Sequence, residues 1–564
     1  MTHSAFPLSS VRYWMYFKTS VRFMAAAFIG LTTITACRDL SVDNPNQPDV
    51  SKVFGTPRDV ETIISKLFQQ MYNGQLGSAD DIFTQTITMS FESSSQLGNF
   101  GMGTRGAIPR SPIDNSIGNT VAAGNFRDFD FLSRNARGAA NAIAALDKFA
   151  AAGQSTGSPA RDAKAKSFAY FTLGYALGNL ALFYDSAAII TAAVPPSDIP
   201  PLSSASDVMA VALQSLDSAA NIAGSSAATS GAGGFPIPIE WLSQTTATSQ
   251  ADFIKLIHSY RAKFRAGLGR TPADRAAANW DAIIADATTG ITSDFVVQTN
   301  AVTGWSGAVM NQLAVSTGWS QMTPFILGMA DTTGAYDAWL QQPVLSRTPF
   351  LLRTPDKRFP SGDDRATQVA VTGNSRNGPP AGSILYFRNR PPGEDTPADP
   401  WGTWYYDNWR SWGIRAAGQN GPYVMFPLVE NDMLAAEGYI RKNNYAAAIP
   451  LINKSRVRAG LPALTVINSL TDQVPGGSAC VPRVPQPPNY TTTACGNIFE
   501  AMKWEKRTET NLVGYAEWFV DSRGWGDLAQ GTPLEWPVPY QELFARIKPS
   551  YTTSARAAKG TYGF

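Results

Sequence analysis

Two stretches of this chain carry the same local pattern: Asn279-Trp280-Asp281-Ala282-Ile283-Ile284 and Asn444-Tyr445-Ala446-Ala447-Ala448-Ile449. Each has an asparagine suited to a turn, then an aromatic residue, then a small-residue face ending in isoleucine. Just before the second copy stands Ala435-Ala436-Glu437-Gly438-Tyr439, a run of small residues that lets a neighbouring helix approach closely. Small residues on one helix receiving large residues of the next is the packing logic of tetratricopeptide (TPR) hairpins. The copies are degenerate, so the expectation is a TPR-like framework and not a regular array.

The rest of the chain reads the same way. Thr56-Pro57 suits the N-cap and first turn of a helix, with Asp59 at the third position. Val60, Ile63, Ile64, Leu67, Phe68 and Met71 then recur at helical spacing. Ala-rich segments near 135–150, 160–184, 206–222, 250–268, 275–288, 430–443 and 445–458 behave similarly. Between about 296 and 424 the periodicity fades, and Gly, Pro, Asn and Trp become frequent. A long irregular stretch inside a globular chain usually carries function. The fold class expected is therefore mostly α, a TPR-like helical hairpin framework with a large irregular loop-rich insertion.

The N-terminus reads as an address. Arg12, Lys18 and Arg22 precede an uncharged run, Phe23 to Ile34, too short to span a bilayer. Ile34-Thr35-Ala36-Cys37 follows, which looks like a lipobox, cut before a cysteine that is then diacylated. An ordinary secretory signal that happens to contain a cysteine is the other reading, and Met15 is an alternative start. The polar, Pro-broken residues after Cys37 suit a tether, which at ~3.3 Å per residue reaches on the order of 50 Å by Val53. The organisation expected is a lipoprotein signal peptide at 1–36 and a lipid-anchored tether at 37–53. An N-terminal helical region at 54–300, an irregular aromatic-rich insertion at 301–420 and a C-terminal region at 421–564 follow.

In an exported protein, Cys480 and Cys495, on either side of a loop rich in Pro, Asn and Thr, read as a disulfide, against the alternative of two free thiols. The net charge of +2 gives no basic field for nucleic acid. After signal removal His258 is the only histidine, in a packed-helix context, so triad chemistry has little to draw on. No cofactor or metal is expected, and zinc is disfavoured by the absence of Cys-x-x-Cys.

Four segments resemble the SusD/RagB family of outer-membrane nutrient-binding lipoproteins, whose name comes from a starch-binding member. They are Lys164 to Asn179; Met433-Leu434-Ala435-Ala436-Glu437 through Arg456 to Pro462; Trp504 to Glu509 with Trp518 to Leu528; and Trp536 to Leu543. Lys506 and Val520 are insertions relative to the family pattern, and Gly524 stands where an arginine is usual. The resemblance covers most of 40–300 and 421–545. It implies a binding protein, not an enzyme, held at the outer membrane by its acylated cysteine and facing the cell surface. It also implies capture of oligosaccharides or peptides and their delivery to a TonB-dependent, SusC-like transporter.

For the ligand site, the densest aromatic cluster stands out: Trp401, Trp404, Tyr405, Tyr406, Trp409 and Trp412, interleaved with Asp407, Asn408 and Arg410. Sugar rings stack their C–H faces on indoles while planar polar side chains bind hydroxyls. The competing reading makes these rings the core of the irregular lobe, with two or three left at the surface. Trp305, Trp319 and Trp339 are secondary candidates, and the loop Phe91 to Asn115 adds Asn99, Phe100 and Arg105. Two other functions stay open: a TPR-like scaffold that binds protein, and a surface glycosidase with a pair of carboxyls in a cleft.

Overall fold

A computed structural model describes residues 54–95, 99–308, 321–373, 377–380, 382–394 and 404–564. Cys37, the signal peptide, the tether, Trp319 and Trp401 lie outside these residues. Among the described residues, the helices of eight residues or more are α1 (Pro57–Leu76), α2 (Ile82–Met89), α3 (Ala123–Ala151), α4 (Pro159–Phe183), α5 (Ala205–Ala223), α6 (Gln250–Gly267) and α7 (Trp280–Thr288). They continue with α8 (Arg365–Thr372), α9 (Leu428–Arg441), α10 (Tyr445–Arg458), α11 (Ile498–Thr510) and α12 (Glu517–Trp525). The mostly helical expectation holds, with element ends within a few residues of most of the periodic segments; the 135–150 segment lies inside the longer α3.

The caps explain where helices start. Thr56 accepts a hydrogen bond from the Asp59 amide, and Pro57 occupies the first turn of α1. Asn279 and Asn444 each accept from the amide three residues on, at 3.1 and 3.3 Å, so the repeated asparagine is a repeated N-cap.

Helix α4 lies at the centre of the N-terminal half. It is apolar around its circumference, burying Phe168, Phe171, Tyr175, Leu177 and Leu180. It packs on α1, α3, α5 and α6. Its glycines permit that approach: a Cβ at Gly174 would lie 2.7 Å from Leu216 Cγ on α5.

In the C-terminal half, α9 packs between α7 and α10. Leu434 and Ala435 meet Trp280, Ile283 and Ala287, while Ala436 and Ile440 meet Ala448 and Ile452. A Cβ at Gly438 would stand 2.6 Å from Ile284 Cγ1. The small-residue run and both aromatic-led copies therefore meet as the TPR-like logic requires.

Short antiparallel ladders tie the loops. β1 (Ser186–Ala188) pairs with β2 (Leu202–Ser204). β3 (Phe295–Thr299) pairs with β6 (Gly421–Phe426), in a register running from Phe295 opposite Phe426 to Thr299 opposite Gly421. The chain thus enters and leaves its irregular stretch through one two-stranded ladder. Within that stretch β4 (Phe387–Asn389) pairs with β5 (Tyr406–Asn408). β7 (Arg483–Pro485) pairs with β8 (Thr493–Cys495), and Cys480 and Cys495 are bridged across a Cα separation of 5.7 Å. Thr56–Phe564 form one compact unit. Among the described residues, no helix is long and apolar enough to cross a membrane.

Candidate functional site

The aromatic run at 404–412 fills the irregular lobe. Trp404, Tyr406, Trp409 and Trp412 are 0, 0, 5 and 1% exposed, which corrects the expectation of a sugar platform there. The Trp404 indole N–H donates to the Phe350 carbonyl at 2.8 Å, and its ring lies 4.7 Å from that of Tyr406. The Tyr406 hydroxyl donates to Gln368 at 2.6 Å and accepts from the Leu352 amide at 2.9 Å. The Arg388 guanidinium lies 4.1 Å from the Trp412 ring. Trp339 is buried beside Phe325 and Tyr336, and Trp305 is buried against Phe68 and Tyr72 of α1. The physical reason is volume. Short elements with few aliphatic residues exclude water by burying their largest rings. Of the cluster, Tyr405 alone is half-buried among the described residues, with the Arg365 guanidinium 4.1 Å from its ring.

Three separate loops meet beside Tyr405. Ser94 and Gln321 exchange both backbone hydrogen bonds, at 2.8 and 3.0 Å, and the Ser93 hydroxyl also donates to the Gln321 carbonyl. The Met322 amide donates to the Tyr406 carbonyl at 3.2 Å, and the Arg390 amide to that of Tyr405. The loop after α2 is thereby held against the irregular lobe, with Asn99 exposed and Phe100 half-buried. Phe91 and Phe100 both adopt positive φ, at 59° and 55°. That costs roughly 1–2 kcal/mol per residue, which surrounding contacts must offset. Phe91 obtains one such contact by stacking on Phe325 at 4.3 Å. Arg105 is a brace, not a ligand group: it is buried and donates to the Pro112 carbonyl at 2.9 Å.

Glu92 supports this edge from beneath. One carboxylate oxygen accepts the Leu512 amide at 2.6 Å, and the other has no partner among the described residues. Burial pushes the carboxyl up to about 8; the Leu512 bond opposes the shift and the charge of Glu517 adds to it. A folded value above the unfolded one means that the folded state holds a proton which the unfolded chain releases above about pH 4.5. Stability is therefore lost as pH rises from about 5 to 8, by up to roughly 1.4 kcal/mol per pH unit from this group. Glu92→Gln should remove that share of the slope in urea unfolding series at pH 5.5, 6.5 and 7.5. An unchanged slope would show that Glu92 is ionised in the folded state.

The family-like segments supply structure instead of chemistry. Arg507 donates to Asp527 at 2.6 Å, Lys503 to Asp527 at 3.0 Å, and Lys506 pairs with Asp521 at 2.7 Å, all buried. Arg275, which the sequence does not single out, bridges Glu437 of α9 at 2.6 Å and Asp521 of α12 at 3.1 Å. A Cβ at Gly524 would lie 3.1 Å from Arg275 Cδ, so the glycine leaves room for an arginine brought from elsewhere in the chain. Asn115 donates to the Val538 carbonyl and accepts the Tyr540 amide, both at 2.9 Å, stapling the Trp536 to Leu543 segment to the loop before α3. His258 is half-buried, its Nδ1 lies 2.7 Å from the Thr289 hydroxyl, and burial lowers its pKa. Among the described residues no group of His, Cys, Asp and Glu is placed to hold a metal ion.

The class defined by this arrangement is a helical-hairpin protein that builds a surface from loops braced by a buried charge network. The sequence matches no protein-family model and no curated protein. Among solved structures, the chain is similar to a SusD superfamily protein from Parabacteroides distasonis at 9% identity and a TM-score of 0.53, covering 88% of this chain and 99% of that one. It is also similar to a SusD superfamily protein from Bacteroides vulgatus at 14% identity and a TM-score of 0.51, covering 87% and 90%. The likeness is one of fold: the chain folds as SusD superfamily proteins do.

Proposed function

We propose that the protein is a lipid-anchored nutrient-binding protein at the surface of the outer membrane. It captures oligosaccharides, or peptides, and passes them to a TonB-dependent, SusC-like transporter without breaking bonds. The observation that carries this reading is the SusD-superfamily fold over most of the chain. The lipobox-like Ile34-Thr35-Ala36-Cys37 supplies the anchor in this account.

The ligand surface is proposed at the edge where the loop after α2 meets Gln321 and Tyr405. Burial has assigned Trp404, Tyr406, Trp409, Trp412 and Trp305 to the core. Trp319 and Trp401, which precede Gln321 and Trp404 in the sequence, therefore become the leading stacking candidates, together with Tyr405, Asn99 and Phe100.

Fractionation of cells carrying the full, tagged chain tests the role. The chain should travel with the outer membrane, carry an acyl group on Cys37 and co-purify with a β-barrel transporter. Cys37→Ala should move to the soluble fraction. A wild-type chain recovered soluble and unacylated, or bound to the membrane without any transporter, would contradict the proposal.

A further inference from the structure

Away from that edge, a cleft of about 580 Å³ opens between the start of α9, the end of α10 and the loop holding Tyr386. Its size suits a sugar ring or a dipeptide. Its hydrogen-bond accounts are one-sided. Glu509 accepts from Tyr386 at 2.7 Å, Ser455 at 2.9 Å, Arg358 at 3.3 Å and Arg458 at 2.5 Å. Burial alone would raise its carboxyl, but Arg358 and Arg458 override this and hold it at about 2, so it stays ionised and occupied. Both oxygens of Asp432 receive Lys454, at 2.9 and 3.0 Å, and Asp294 accepts the Leu428 amide at 2.8 Å, capping α9. Each acidic side chain lining the cleft is thus engaged.

The donors are not used up. Arg458 directs Nη2 to Glu509 and Tyr386 while its side chain remains 52% exposed. Arg410 stacks on the Tyr386 ring at 4.3 Å and gives Nη2 to the Asn511 carbonyl at 2.7 Å. Its Nε is buried without an acceptor among the described residues. The Arg410 side chain as a whole is half-buried at the cleft wall, and a carboxylate is the acceptor best suited to guanidinium groups there. Beyond Thr292, Ser293 and Asp294 lies a second depression of about 160 Å³, lined by Gln244, Thr246 and Thr248 and by the paired Asp252 and Lys255.

We propose that this cleft is a second binding site, for a ligand bearing a carboxylate, with Arg410 and Arg458 as its recognition pair. The carboxylate belongs either to an acidic sugar or to a peptide C-terminus. The proposal does not depend on the aromatic edge or on the transporter.

Calorimetric titration of the full acylated chain in detergent, with digalacturonate, N-acetyl-Ala-Ala, their methyl esters and maltose, tests it. One of the two acids should bind, which identifies the source of the carboxylate, and its ester should bind at least about tenfold more weakly. Arg410→Gln should weaken the acid by a similar factor, with Arg410→Lys recovering little of the loss. If Arg410→Gln lowers the melting temperature, the acid-to-ester ratio on the wild-type chain decides. Equal binding of acid and ester, no binding of either acid, or normal acid binding by a stably folded Arg410→Gln would overturn the site.

Discussion

Arg358→Ala is expected to destabilise the chain by about 3–5 kcal/mol, the range for removing one partner of a buried ion pair. Arg358 is 1% exposed and holds Asp356 through two bonds, at 2.9 and 2.6 Å, and Glu505 at 2.8 Å, with Glu509 at 3.3 Å. Burial would lower its pKa, but Asp356 and Glu505 push it well above the usual arginine value, so it is charged throughout. Its loss takes the nearest guanidinium from buried Asp356 and Glu505, removes one of the four donors to Glu509, and loosens the irregular lobe from α10 and α11. Arg134→Ala is the control: its side chain is 72% exposed and its pair with Asp130 spans one helical turn, so a change within about 0.5 kcal/mol is expected. Urea unfolding of both variants measures the difference. A loss below about 1 kcal/mol at Arg358 would mean that the network contributes little.

Opening the disulfide is expected to cost about 3 kcal/mol, because the bridge closes a 15-residue separation in the unfolded chain. The loop is also fixed from the core side, where Arg456 donates to the Val481 carbonyl at 2.8 Å and Asn453 exchanges hydrogen bonds with Leu464 at 2.9 Å. Cys480→Ala/Cys495→Ala should therefore still fold, with a lower urea midpoint and a slightly steeper denaturant slope, because the uncrosslinked unfolded chain exposes more surface. A midpoint identical to the wild-type chain under oxidising conditions would show that the loop is held by its side chains alone.

The helical framework was legible because its determinants are local. Thr56, Asn279 and Asn444 cap helices from within three residues, and the stripe from Val60 to Met71 repeats at the helical period. The cysteine pair was legible because only two cysteines remain once Cys37 is assigned to lipid. The candidate site was much less so. Whether Trp404 or Tyr405 faces solvent depends on Phe350, Gln368 and Arg365, which no pattern in the sequence places beside them. Arg275 and Arg358 were missed for the same reason. Arg275 meets Glu437 and Asp521 across 162 and 246 residues, and Arg358 meets Glu505 across 147. The motif segments in α11 and α12 did carry a signal, in charged residues set among tryptophans. That signal marked a buried brace and not a binding surface.

The central claim is capture of a nutrient at the edge formed by the loop after α2, Gln321 and Tyr405. It is tested most directly by screening the full chain in detergent against an array of oligosaccharides and peptides, then titrating the strongest ligand into Trp319→Ala and Trp401→Ala. A stacking ring contributes about 1–3 kcal/mol, so each true platform residue should cost roughly five- to 150-fold in affinity with the melting temperature unchanged. Absence of any ligand on the array, or full affinity in both variants, would contradict the account.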